Sequence, residues 1–140
     1  MTILSNQMKR KDLRKKLLPV FQKHPEVKLV YLFGSQVKAK SGPLSDYDFA
    51  LYLGEKNKRK IFEIKLQLLS EIGQILQSDK IDLVILNTVE APELKYNIIK
   101  EGKLIFEREP YKILVEPRIL NEYFDFYSFL VRNKLTKVRI

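Results

Sequence analysis

Cysteine is absent from the 140 residues, which excludes a disulfide framework and any thiolate metal centre. A single histidine, His24, excludes His-rich metal sites and most His-based catalytic triads. No apolar run approaches the ~18 residues that a membrane span needs. The stretch from Met1 to Lys16 carries its charges where a signal peptide needs its apolar core, so a soluble, cytoplasmic protein is expected. Glycine and proline are few, at 5 and 6, and neither a repeat nor a low-complexity tract divides the chain. One domain over residues 1–140 is expected, with a core over about 10–107 and a C-terminal helix over about 110–135. Acidic residues are in deficit, 17 against 26 Lys plus Arg, which leaves a formal charge of +9. Such an excess suits a polyanionic partner, whether nucleotide phosphates, nucleic acid or an acidic protein surface. Charge alone does not choose among them.

Strand and helix patterns alternate along the chain. Leu13, Leu17 and Phe21 recur at four-residue spacing within a basic segment, which predicts a helix from Ser5 to Lys23. Pro19 predicts a kink there, or a second short helix starting at that residue. Val27 to Phe33 is β-branched and aromatic, bounded by Pro25 and Gly34, and reads as a buried strand. Asp48 to Leu53 and Ile81 to Leu86 read as two more strands. Between them Ile61, Ile64, Leu68, Ile72 and Ile75 or Leu76 mark the apolar stripe of a long helix over Asn57 to Gln77. Pro92 opens a short helix that Gly102 stops, Leu104 to Phe106 suggests a short edge strand, and Pro110 to Lys134 a final helix with an irregularity at Pro117. The pattern predicts an α/β (α+β) fold, a small mixed sheet flanked by helices.

Chemistry concentrates around the loop between the first two strands. The first strand ends in Gly34-Ser35, where glycine lets backbone approach a ligand and serine adds a hydroxyl donor. Lys38 and Lys40 lie in the same loop. Asp46 and Asp48 are two apart, so on a strand both carboxylates share one face. Held together they repel, and a hard divalent cation is the usual compensation. A third acid, Asp82, opens the Ile81–Leu86 strand and completes a two-metal site if that strand lies beside Asp48. Each piece has an ordinary reading: Gly-Ser as a turn, Asp-x-Asp as a solvated turn, Asp82 as a charge guarding a strand edge. Their coincidence at a fixed separation should arise by chance in on the order of one chain in several hundred.

The pattern Gly34-Ser35, ten intervening residues, Asp46-Tyr47-Asp48 and a later strand aspartate, Asp82, resembles that of the minimal nucleotidyltransferases of the DNA polymerase β-like superfamily. LVYLFGS (Leu29 to Ser35), SDYDFALYL (Ser45 to Leu53), IDLVILN (Ile81 to Asn87) and the late EGKLIFE (Glu101 to Glu107) carry the likeness over about residues 10–107. The resemblance implies nucleotidyl transfer from a nucleoside triphosphate, with ATP the expected substrate. Gly34, Ser35 and Lys38 would bind the nucleotide. Asp46 and Asp48 would hold two Mg²⁺ ions; Asp82 would join the catalytic one and help deprotonate the acceptor hydroxyl. Lys38 stands where the family commonly has an arginine, so charge is kept and the bidentate fork lost. Ala39 replaces a frequent glycine.

Small members of this family typically pair with a helical HEPN protein in toxin–antitoxin systems. The resemblance therefore implies an antitoxin that adds AMP to a hydroxyl, a tyrosine by preference, of a HEPN toxin. The HEPN motif itself, Arg followed after four to six residues by His, is absent, since Leu17, Leu18 and Pro19 precede His24 at those spacings. Two other readings stay open: a non-catalytic antitoxin that masks its toxin, and an antibiotic or other small-molecule nucleotidyltransferase. Nucleic-acid binding would rest on charge alone and is not expected to be the primary partnership. The basic run Lys9–Lys16 reads as an exposed helix face, and Arg132–Arg139 as a solvated terminus or a docking tail.

Overall fold

A computed structural model describes residues 10–34 and 47–134. Its first helix, α1 (Arg10–Lys23), buries Leu13, Leu17, Val20 and Phe21 and leaves Arg14, Lys15 and Lys16 in solvent. Pro19 lies on the exposed side of this one helix, where water can serve the carbonyl that its missing amide leaves unbonded. No second helix begins there. Residues 5–9 of the anticipated helix lie outside the described residues.

The remaining elements are β1 (Val27–Phe33), β2 (Tyr47–Leu53), α2 (Lys58–Leu76), β3 (Ile81–Ile85), α3 (Pro92–Glu101), β4 (Lys103–Glu107) and α4 (Tyr111–Arg132). Asn57 starts α2 by accepting the Lys60 N–H on its side chain at 3.1 Å. Pro92 lies in the first turn of α3, and Gly102 closes that helix by donating its N–H to the Ile98 carbonyl at 2.7 Å. Pro117 lies within α4 on its exposed face.

The strands form one mixed sheet in the order β3-β2-β1-β4. β1 runs antiparallel to both β2 and β4, whereas β2 and β3 are parallel and joined through α2. β4 is an edge strand, as the short run Leu104–Phe106 predicts. Side-chain alternation divides the core between the two faces of the sheet. Val27, Val30, Phe49, Leu51, Leu83 and Ile85 pack with α1 and α2; Leu29, Tyr31, Phe33 and Ala50 pack with Ile98 of α3 and Val115 and Ile119 of α4. The observed architecture is thus the anticipated mixed sheet flanked by helices. Among the described residues, no helix is long and apolar enough to cross a membrane.

Two polar contacts fasten the helices to the sheet. The Arg108 guanidinium, just past β4, donates to the Val27 carbonyl at 2.9 Å and to the Phe21 carbonyl at 3.0 Å, which ties the end of α1 to β1 and β4. On the other face the Tyr31 hydroxyl donates to Glu116 of α4 at 2.5 Å. Burial and this carboxylate neighbour push the Tyr31 hydroxyl's pKa well above its usual range.

Candidate active site

Strand direction decides which residues meet. β1 ends at Phe33, and β2, antiparallel to it, begins beside that end at Tyr47. β3 is parallel to β2 and so begins at the same end. Gly34, Asp48 and Asp82 are thereby gathered at one end of the sheet although 48 positions separate the first from the last in the chain.

Within the sheet Asp48 is flanked on both sides. Its partner across β1 is Phe33, and its partner across β3 is Asp82. Parity fixes the direction of the two carboxylates. Phe49 and Leu83 face α1 and α2, so Asp48 and Asp82 share the opposite face with Phe33, Ala50 and Val84. Asp48 is nearly buried, at 7% exposure, and Asp82 is half-buried.

Neighbouring strands lie ~4.8 Å apart, so two ionised carboxylates in register repel by about 3 kcal/mol at an effective dielectric of ~20. A hard divalent cation between such carboxylates offsets that repulsion. The donor set fits Mg²⁺, since it offers carboxylate oxygens with no thiolate or imidazole. Among the described residues no cluster of three or more His, Cys, Asp or Glu side chains assembles. Asp46, the remaining expected ligand, lies outside the described residues, as do Ser35 and Lys38.

At the opposite end of the sheet from the pair stand two anchoring residues that periodicity alone does not mark. Asn87 receives the Leu53 N–H at 2.8 Å and donates to the Leu53 carbonyl at 2.6 Å, clamping the far end of β2 to the segment after β3. Its signal in the sequence is a polar side chain closing the apolar run IDLVIL. Arg108 gives no comparable signal, because its acceptors are main-chain carbonyls of Phe21 and Val27, distant in sequence. A groove of about 490 Å³ also borders Asp82 along the free edge of β3, lined by α2 residues on one face of the sheet and by Val84 and Leu94 on the other.

Comparison with known proteins agrees with this geometry. Residues 15–111 match the family model described as polymerase beta, nucleotidyltransferase. The protein adenylyltransferase MntA of Aphanizomenon flos-aquae (strain 2012/KM1/D3) is 35% identical over 103 residues, covering 69% of this chain and 67% of that protein. Among solved structures, the complex of a tri-AMPylated Shewanella oneidensis HEPN toxin with its MNT antitoxin matches with a TM-score of 0.65. That match has 17% identity and covers 91% of this chain and 99% of the other. A toxin–antitoxin structure with AMP-PNP matches with a TM-score of 0.64 at 19% identity, covering 88% of this chain and 98% of the other. These two likenesses are of fold. The family model takes in every strand of the sheet and both described carboxylates, and this chain belongs to the polymerase beta nucleotidyltransferase family.

Proposed function

We propose that this chain is a cytoplasmic protein adenylyltransferase that serves as the antitoxin of a toxin–antitoxin pair. Its reaction transfers AMP from ATP to a hydroxyl, a tyrosine by preference, of a HEPN toxin. The observation that carries the reading is the in-register pair Asp48–Asp82 at the strand end that Gly34 closes. The relative named as a protein adenylyltransferase and the solved complex with an AMPylated HEPN toxin support the choice of nucleotide and acceptor.

In this reading Gly34 and Ser35 bind the triphosphate tail through backbone and hydroxyl donors, and Lys38 adds a positive charge beside it. Asp46, Asp48 and Asp82 would hold two Mg²⁺ ions, which would lower the pKa of the attacking hydroxyl and offset charge on the phosphates. The acceptor oxygen attacks the α-phosphorus. The bond between that phosphorus and the oxygen bridging to the β-phosphate breaks, and pyrophosphate leaves with the bond's electron pair. Asp82, at the edge of the sheet, accepts the hydroxyl proton. Asp48, deeper and flanked by Phe33, keeps its charge fixed in position. A new phosphodiester to the acceptor oxygen and one pyrophosphate are the products.

The test incubates the purified chain with Mg²⁺, ATP labelled at the α-phosphate and its co-expressed HEPN protein, beside an Asp46→Ala/Asp48→Ala variant. Label on the HEPN protein, with a mass gain of whole AMP units that the variant lacks, is the expected result. Neutralisation of the toxin by the unlabelling variant would overturn the enzymatic reading in favour of masking.

A further inference from the structure

The long helix α2 carries more apolar surface than the core uses. Ile61, Leu68 and Ile72 are its buried positions, yet Phe62 and Leu66, one turn apart on the same side, are 58% and 49% exposed. Phe62 forms one wall of the groove along β3, with Val84 and Leu94 lining it further and Asp82 at its border. Its volume, about 490 Å³, lies within the ~300–1,000 Å³ of sites that bury a small ligand or a side chain with its neighbours.

Apart from Asp82 at its border, the charged residues of the groove are cationic. Lys58 and Lys65 line it, and among the described residues neither is joined to an acid in an ion pair. The first turn of α2 reads Lys58-Arg59-Lys60 with no acidic residue. Helices favour carboxylates at that end, because the exposed N–H groups already carry partial positive charge. Three cations there add to the field instead of cancelling it. The same surface thus combines an exposed aromatic wall, an unneutralised cationic rim and direct continuity with Asp82.

We propose that this groove is the acceptor-docking cleft, and that it takes an acidic, tyrosine-bearing segment of the acceptor protein. Carboxylates of that segment meet Lys58 and Lys65, an apolar neighbour of the tyrosine packs on Phe62, and the hydroxyl is directed toward Asp82. The inference rests on the adenylyltransferase reading and adds the charge and polarity of the polypeptide that the site selects.

Two short fluorescein-labelled peptides, each with one central tyrosine and flanked by glutamates or by lysines, are the probes. Binding is read by anisotropy, AMP incorporation by label from ATP, and nucleotide binding separately with a fluorescent ATP analogue. The wild-type chain is expected to bind the glutamate-flanked peptide about tenfold more tightly than the lysine-flanked one. A Lys58→Glu/Lys65→Glu variant should reverse that order with nucleotide affinity unchanged; an acid in place of Lys58 suits the helix start, and Lys65 is only half-buried, so the variant should fold. Phe62→Ser should weaken binding of the acidic peptide about fivefold.

Equal affinity for the two peptides, or an order that survives charge reversal, overturns the proposal. So does a charge-reversed variant that loses nucleotide binding alone, which would assign the lysines to ATP phosphates. Tyrosine labelling that ignores the charge reversal leaves the adenylyltransferase reading intact and refutes the docking cleft. Charge-dependent binding without labelling of either peptide supports the cleft and counts against tyrosine as the acceptor.

Discussion

Replacing Arg108 by alanine should be among the most damaging changes to a half-buried polar residue. The guanidinium Nε–H bonds the Val27 carbonyl at 2.9 Å, and one Nη reaches the Phe21, Gln22 and His24 carbonyls at 3.0, 3.2 and 3.4 Å. The last carbonyls of a helix have no amide partner within it, so the arginine substitutes for the missing turn of α1. Two of the four bonds have good geometry, and charge-assisted bonds contribute about 1.5 kcal/mol or more each. The guanidinium also lies 5.2 Å from the centre of the Phe106 ring, a contact worth about 0.5–1 kcal/mol. Water can reach the Gln22 carbonyl after truncation, which returns part of the loss. The net expectation is about 2–4 kcal/mol, a large share of the roughly 5–15 kcal/mol that holds an ordinary domain together. Urea unfolding followed by far-ultraviolet circular dichroism measures it directly. Arg108→Lys should recover less than half, because an ammonium cannot serve Val27 and Phe21 through a rigid fork. A loss below about 0.5 kcal/mol for alanine, or full recovery by lysine, would refute this account of how α1 is attached.

Further outcomes follow from the same contacts. Gly102→Ala should cost about 1–3 kcal/mol, because a Cβ there would collide with the Ile98 carbonyl oxygen and lie 3.3 Å from that of Leu32; an unchanged urea midpoint would count against it. Glu71 accepts from His24 Nε2 at 2.9 Å and pairs with Lys23 at 3.3 Å. The His24 bond first, and then Lys23, hold its carboxyl below the usual glutamate range against an opposing effect of burial. Because the folded-state value is lowered, the stabilisation from this cluster is fully present above about pH 4.5 and is lost as pH falls below that, through the lower folded-state value. Stability measured against pH should therefore show a shallower acid limb in Glu71→Gln than in the wild type, and parallel curves would remove Glu71 from the account.

Much of this architecture is visible in local pattern. The β-branched run Val27–Phe33 became β1 with its predicted bounds, and the 3.6-residue stripe ending near Leu76 became α2. Other strand ends moved by a residue or two: β2 begins at Tyr47, β3 stops at Ile85 and β4 spans Lys103–Glu107. Leu86 nevertheless still donates to Leu51 at 2.8 Å beyond the end of β3. The second helix that Pro19 allowed does not form, because the cost of a proline depends on which face of the helix it occupies, and that is set by packing.

The amino-acid sequence by itself determined the element types, the absence of thiolate and His-rich metal chemistry, and the fixed spacing that puts Asp46 and Asp48 two residues apart. Each of those follows from residue identity or short-range periodicity, which need no knowledge of distant neighbours. Only the tertiary structure decided that β3 lies parallel to β2 with Asp82 beside Asp48, because register between strands 34 positions apart is chosen by the burial of whole faces. It alone also decided how far Phe62 and Leu66, outside the anticipated stripe, stand in solvent. A helix stripe says which residues could be buried, and the width of the sheet beneath it decides how many are.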